Sequence, residues 1–328
     1  LRRLNLLPPL AGEGGGGGSE WGVQNDRDVT EDIWARWLSF RRQGSATLSP
    51  DTERDLHGLR DRVLSMAEIK PGNTVLDVGC GDGLIGFGAL ELVGPMGQVI
   101  FSDISADLIA RCRHTAEQIH ALDRCRFLIA SADDLQEISD NSVDVVTTRS
   151  VLIYAAAKDR AIREFYRVLR PGSRAVIAEP INRYSYPEPP DIFLGYNVAP
   201  IADIAAKLVA LFSRVETARI APMLDFDERD LVTMAQRAGF NEVHLDLRID
   251  VEATAKAEWA TFVKRSGNPL SPTLEEAMNE ALTSKEREQL TAHLRPLVER
   301  GTGSQRRAFA FMAALKPPYH QDASASGS

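Results

Sequence analysis

Short apolar runs and helix-period segments alternate through the middle of the chain. Runs rich in Val, Ile and Phe at 74–79, 98–102, 126–130, 143–148 and 174–179 predict strands covered on both faces. Over 157–169, Ala161, Ile162, Phe165, Val168 and Leu169 fall at helical spacing, and Arg170-Pro171-Gly172 stops the helix. Over 105–121, Leu108, Ile109, Cys112, Ala116 and Ile119 form one stripe behind a serine cap. Strands alternating with amphipathic helices predict an α/β fold with a mostly parallel sheet.

After Glu179 the alternation breaks. A proline cluster (Pro187, Pro189, Pro190) precedes a helix-like stretch over 201–212. A helix over 228–238, stopped by Gly239, leads to an alternating strand over 242–251. Polar helical patterns follow over 273–282 and 284–300, then a last strand over 308–315. The expected organisation is a Gly-rich leader (1–20), a helical cap (21–70), a ligand-binding core (71–180) and a substrate-side insertion (181–226). A core helix and strand (227–251), a helical insertion (252–304), the final strand (305–317) and a loose tail (318–328) complete it.

Of the 328 residues, 44% are hydrophobic and 26% charged, ordinary values for a globular protein that needs no disulfide or metal to hold its core. The formal net charge of -8 argues against a polyanion-binding protein. Cys80, Cys112 and Cys125 are too few for a disulfide framework, and no apolar run reaches the length of a membrane span. A reduced, cytoplasmic setting is expected, with no metal, no membrane and no nucleic-acid partner.

The chemistry centres on Val75-Leu76-Asp77-Val78-Gly79-Cys80-Gly81-Asp82-Gly83, a strand running into a glycine loop and a helix. Glycines let the backbone turn sharply against a ligand, and the helix N-terminus offers free N–H groups to an anion. Gly81 to Gly86 also spells GxGxxG, with Asp103 20 residues after Gly83, so a nicotinamide dinucleotide is one reading. Asp77 inside the strand tips the balance away from it, because a carboxylate there can hold the loop and face a ligand ammonium. Ser131-Ala132-Asp133-Asp134-Leu135 after the third strand, and Asp140 to Arg149 leading into the 157–169 helix, are further marks in the same direction.

Taken in order, these motifs resemble the class I S-adenosylmethionine-dependent methyltransferases, in the small-molecule branch with the ubiquinone/menaquinone and arsenite enzymes. The resemblance covers about 71–180. It implies a Rossmann-like three-layer sandwich: a seven-stranded, mostly parallel sheet with the last strand antiparallel, plus helical insertions. It implies S-adenosylmethionine as cofactor, with Asp77, Gly79, Cys80, Gly81 and Gly83 on its methionine side. Asp103 would take the ribose hydroxyls, Ala132 and Asp133 the adenine, and Arg149 the methionyl end, with Ile104 also a cofactor-binding candidate. Ser131, where many relatives have Asp, and Gln136-Glu137, where Pro-Phe is common, depart from the family pattern. Cys80 reads as a small packing residue and not as a nucleophile. Cysteines used for arsenite in relatives lie late in the chain, and here none follows Cys125.

The expected reaction is methyl transfer to a small organic acceptor at oxygen, nitrogen or carbon. Thr147-Thr148-Arg149-Ser150 stands where an Asn-Pro-Pro-Tyr or Asp-Pro-Pro-Tyr box would hold a flipped base, which argues against base methylation. If a hydroxyl is methylated a base must take its proton, and His244, Tyr154 and Glu179 are the weak catalytic candidates. Trp34 and Trp37 either cap the sheet or form a lid, and Asn182, Tyr184 and Tyr186 either line the pocket or pack a loop. The alternatives are an NAD(P)-dependent oxidoreductase and a non-catalytic S-adenosylmethionine-binding partner protein. The oligomeric state is left open.

Overall fold

Apolar strands with both faces covered must sit inside a sheet, and that is where the central runs go. The computed structural model describes residues 32–42, 44, 50–219 and 221–318. The leader expected over 1–20, part of the 21–70 cap and residues 319–328 of the tail lie outside them. The first elements are α1 (Ile33–Arg36), which continues as a π turn over Trp37–Arg41, and α2 (Pro50–Ala67). Then come β1 (Thr74–Val78), α3 (Leu84–Val93), β2 (Gln98–Asp103), α4 (Ala106–Gln118), β3 (Cys125–Ile129) and β4 (Val143–Arg149). Next are α5 (Lys158–Val168), β5 (Leu169–Pro180) and a short hairpin, β6 (Ile192–Phe193) with β7 (Tyr196–Asn197). The remainder is α6 (Ala202–Arg219), α7 (Ala221–Leu224), α8 (Glu228–Ala238), β8 (Glu242–Ala253), α9 (Trp259–Phe262), α10 (Leu274–Ala281), α11 (Ser284–Arg300) and β9 (Ser304–Leu315).

The main sheet has seven strands in the order β3-β2-β1-β4-β5-β9-β8. Pairs among β1 to β5 are parallel, and β9 is antiparallel to both β5 and β8. The fold is therefore the expected sandwich with its last strand reversed. On one face Ile162, Phe165 and Val168 of α5 and Leu231 and Met234 of α8 pack over Val78, Val146, Ile177 and Met312. On the other, Val63 of α2, Ile85 and Ala89 of α3 and Cys112 of α4 cover Val75, Val99, Phe101 and Val176. Each large side chain sealed in this way contributes on the order of 1.5–3 kcal/mol.

Boundaries differ where a local signal conflicts with pairing. β5 starts at Leu169 and not at 174, because Leu169 pairs Val143 and the chain then slips register through Arg170-Pro171-Gly172 before Arg174 pairs Val145. β9 starts at Ser304 and not at 308, its polar first residues pairing only with β8. β3 is an edge strand with Ile129 58% exposed, so it is not covered on both faces as expected. A third apolar cluster joins Phe193, Tyr196, Leu208, Val263, Leu290 and Leu294 from β6, β7, α6, α11 and the stretch after α9. An open groove of about 680 Å³ beside α9, α10 and α11, lined by Trp259, Met278, Arg287 and Arg295, shares no residue with the glycine loop. Among the described residues no helix is long and apolar enough to cross a membrane.

Candidate functional site

The C-terminal ends of β1, β2 and β4 lie side by side, and the glycine loop, Asp103 and Arg149 stand there together. The loop must turn as soon as β1 ends. Gly79 sits at φ +62°, and a Cβ there would fall 2.2 Å from Val151 Cγ2. Gly86 lies on α3 where a Cβ would meet the Phe101 ring at 2.3 Å, so this last glycine of the GxGxxG pattern serves close packing of helix on strand. At Gly81 a Cβ would meet only Leu38 Cδ1, at 3.4 Å.

Asp103 is the joint between two loops. Its Oδ2 accepts from Gly81 N at 2.9 Å and its Oδ1 from Ser105 N at 2.9 Å. It is 7% exposed, and burial raises its pKa, aided by the nearby Asp32 charge, against the backbone hydrogen bonds from Ser105 and Gly81 that lower it. Ser105 N-caps α4 by accepting from Leu108 N, as the sequence predicts. Ile104 is exposed beside it, and Ala132, across on the turn after β3, is buried. Asp133 is half-buried and receives the Ser131 hydroxyl. The Cys80 and Cys112 thiols both donate to Gly81 O, at 3.8 and 3.3 Å. Cys112 and burial together push the Cys80 thiol well up, which suits a packing residue and not a nucleophile.

Asp77 does not present a free carboxylate to a ligand. It is 1% exposed, and its Oδ2 accepts from Gly86 N and its Oδ1 from the Thr147 hydroxyl, both at 2.9 Å. It therefore fixes α3 and β4 relative to β1, beneath the loop.

None of the three proposed bases is set up as one. Glu179 is fully buried, with Oε1 accepting from Val151 N and Leu152 N at 2.8 and 2.9 Å and Oε2 from Ile153 N at 3.2 Å. It clamps the loop after β4. His244 lies on edge strand β8, three strands beyond β4 and so roughly 14 Å across the sheet. It is exposed and faces Glu242 Oε1 at 2.8 Å. Tyr154 does stand near the site, but burial pushes its hydroxyl pKa far above neutrality, leaving it a hydrogen-bond donor.

Burial is also the main influence on Asp77 and Glu179, pushing each carboxyl up to about 7 against the hydrogen bonds that favour its charged form. A carboxyl with a higher pKa in the folded chain holds its proton more tightly there than in the unfolded one. The stability it contributes is full below the usual carboxylate range near 4 and is lost as pH rises through about 7. At ~1.4 kcal/mol per pKa unit, each group accounts for a few kcal/mol. The thermal midpoint is expected to fall between pH 5 and pH 8, and Asp77→Asn to flatten that slope. A midpoint that climbs over this range in the wild type, or a slope indifferent to Asp77→Asn, contradicts the assignment.

The sequence offered Trp34 and Trp37 as a cap or a lid but not the polar contacts that seat them. Asp32 caps α1 through Trp34 N and Ala35 N, while its Oδ2 receives the Ser105 hydroxyl at 2.5 Å and its own N–H reaches Asp107 at 2.7 Å. Arg111 donates to Ser39 at 2.7 Å. Trp34 meets the Tyr154 ring edge-on at 5.0 Å. Trp37 Nε1 donates to Ser266 O at 3.0 Å, and Arg41 reaches Ser271 O and Glu276. Residues 32–42 thus lie across the glycine loop and reach the segment between α9 and α10. Arg42, beyond the π turn, is half-buried and within electrostatic range of Arg149, Asp82 and Tyr154. No sequence motif marks Asp32 or Arg42. Asn182 donates to Met223 O at 3.2 Å and Tyr184 packs on the main core, while Tyr186 is 50% exposed.

A family profile described as a methyltransferase domain matches residues 69–217. The arsenite methyltransferase of Halobacterium salinarum is 34% identical over 161 residues, 47% of this chain and 41% of that protein. The ubiquinone/menaquinone biosynthesis C-methyltransferase of Hahella chejuensis is 31% identical over 192 residues, 56% of this chain and 74% of that one. Less than half of the first relative's length and about three quarters of the second's are therefore spanned. Among solved structures, the YcgJ protein of Bacillus subtilis shares the fold at a TM-score of 0.50 and 14% identity, over 80% of this chain and 100% of that chain.

Proposed function

Since the chain belongs to the class I S-adenosylmethionine-dependent methyltransferases, and so to a family of enzymes, we propose that it methylates a small organic acceptor at the glycine loop. The observation that carries this reading is Asp103, which braces Gly81 and Ser105 with one oxygen each and, with about four acceptor sites on the carboxylate, keeps capacity for a further donor. The residues present suit the cofactor. Asp103 would hold the ribose hydroxyls, Ile104, Ala132 and Asp133 would flank the adenine, and the Gly79, Cys80, Gly81 and Gly83 backbone would follow the methionyl part. Arg149 would meet its carboxylate, and Asp77 would brace the loop from below.

The bound cofactor supplies a methyl group on a positively charged sulfur, a leaving group that needs no acid. The protein's share is alignment and exclusion of water. Asp103 and the glycine loop fix the donor side, and residues 32–42 cover it. The acceptor wall is assigned to the insertions at 181–226 and 252–304 and to Tyr154, whose hydroxyl can donate to an acceptor but not take its proton. With Glu179 sealed and His244 remote, an acceptor atom already nucleophilic, a carbon or a neutral amine, fits better than an alcohol.

Thermal unfolding in the presence of S-adenosylmethionine, S-adenosylhomocysteine, NADH or NADPH tests the reading. At a ligand concentration 100 times the dissociation constant the native state gains about 2.7 kcal/mol, roughly 5 °C for a chain of this size. A shift with the two sulfur compounds and none with the nicotinamides is expected. A shift with the nicotinamides alone would overturn the cofactor assignment. Formation of S-adenosylhomocysteine with an acceptor present then separates turnover from binding.

A further inference from the structure

Two guanidinium groups stand at the mouth of the glycine loop with no counter-charge bonded to them. Arg149 ends β4, and Arg42 follows the π turn that lies across the loop. Both are half-buried, and among the described residues neither forms a hydrogen bond or ion pair through its guanidinium. Among the described residues the Arg42 guanidinium lies over the Trp37 ring, 5.9 Å from its Cζ to the centroid, with Asp82 in electrostatic range. Comparably placed arginines elsewhere are paired: Arg167 with Glu164 at 2.7 Å and Asp140 at 2.6 Å, and Arg174 with Glu68 at 2.6 Å. Partial burial, followed by the like charge of Arg149, weakens Arg42's hold on its proton, with Asp82 and Tyr154 opposing. A planar guanidinium left half-desolvated and unmatched fits a carboxylate, which it binds through two parallel hydrogen bonds.

We infer that the methyl acceptor is an anion, a small carboxylate, and that Arg42 holds its charged end. This rests on the cofactor site proposed above. That cofactor brings one carboxylate, which Arg149 matches, and one positively charged sulfur. A neutral acceptor would leave Arg42 unmatched beside two other positive centres, and an acceptor bearing a cation would add a fourth. Trp34 and Tyr154, whose rings meet at 5.0 Å with Tyr154 in electrostatic range of Arg42, supply an apolar flank to the carboxylate's body.

The test uses the full chain saturated with S-adenosylhomocysteine and two probes of one shape, 4-fluorobenzoate and 4-fluorobenzamide, titrated by ligand-observed fluorine NMR. The acid is expected to bind at least tenfold more tightly than the amide. Arg42→Gln should abolish that preference, Arg42→Lys should keep part of it, and neither should change the affinity for S-adenosylhomocysteine by more than about threefold. No preference in the wild type, or a preference that survives Arg42→Gln, overturns the inference. A tenfold loss of S-adenosylhomocysteine affinity in Arg42→Gln also overturns it, by assigning Arg42 to the cofactor's carboxylate. Failure of the wild type to bind S-adenosylhomocysteine at all would instead bring down the cofactor site and the inference with it.

Discussion

Asp103→Ala is expected to weaken S-adenosylhomocysteine binding by at least a hundredfold. Two effects add. The carboxylate would make charge-assisted hydrogen bonds to both ribose hydroxyls, each contributing about 1.5–3 kcal/mol. Its removal also leaves Gly81 N and Ser105 N without acceptors, so the glycine loop loses its brace to the start of α4. Asp103→Asn divides the two effects. An amide keeps one acceptor oxygen but turns an NH₂ toward the other backbone N–H, so it should fall between wild type and Ala. Calorimetric titration of the three proteins reads this directly. An Ala variant within tenfold of wild type would remove Asp103 from the site.

Glu179→Ala should be the most destabilising single change. Three backbone N–H groups, those of Val151, Leu152 and Ile153, point at this one buried carboxyl. A buried donor left unmade costs about 1–3 kcal/mol, so three of them, with the cavity added, amount to roughly 5 kcal/mol or more. That is a large part of the 5–15 kcal/mol by which domains are typically stable. Glu179→Gln retains an oxygen for Val151 and Leu152 and loses only the Ile153 bond, so its deficit should be about a third as large. Denaturant unfolding of the two variants measures the ratio. Equal deficits, or an Ala variant within about 1 kcal/mol of wild type, would refute the clamp.

The contrast between Asp103 and Glu179 shows what a sequence discloses. Asp103 was legible because its partners sit in a motif whose glycines and spacing are local. Glu179 was visible as an acid at the end of a strand, but its role depends on N–H groups 26 to 28 residues earlier that turn inward only in the folded loop. Central strands were legible because burial on both faces leaves unbroken apolar runs. The start of β5 was not, because Pro171 and Gly172 mimic a stop and only pairing with β4 shows that the strand has begun. The polar start of β9 escaped for the opposite reason, since residues 304–307 pair with β8 beyond the covered part of the sheet. Arg42 and Asp32 carry no signature at all: their surroundings are assembled from β2, β4 and the loops that follow them.

The cover over the glycine loop also fixes an order of assembly. Trp37 bonds to a residue 229 positions later and Arg41 to one 235 later, whereas the parallel pairs of β1, β2 and β4 close within about 70. A ribosome adding 5–20 residues per second needs roughly ten to fifty seconds to deliver those distant partners. Throughout that interval residues 32–39 can already meet their nearer partners at Gly81, Ser105, Arg111 and Tyr154, while Trp37 Nε1 and the Arg41 guanidinium still lack theirs. The far contacts of residues 32–42 thus close only after most of the chain that follows them has emerged.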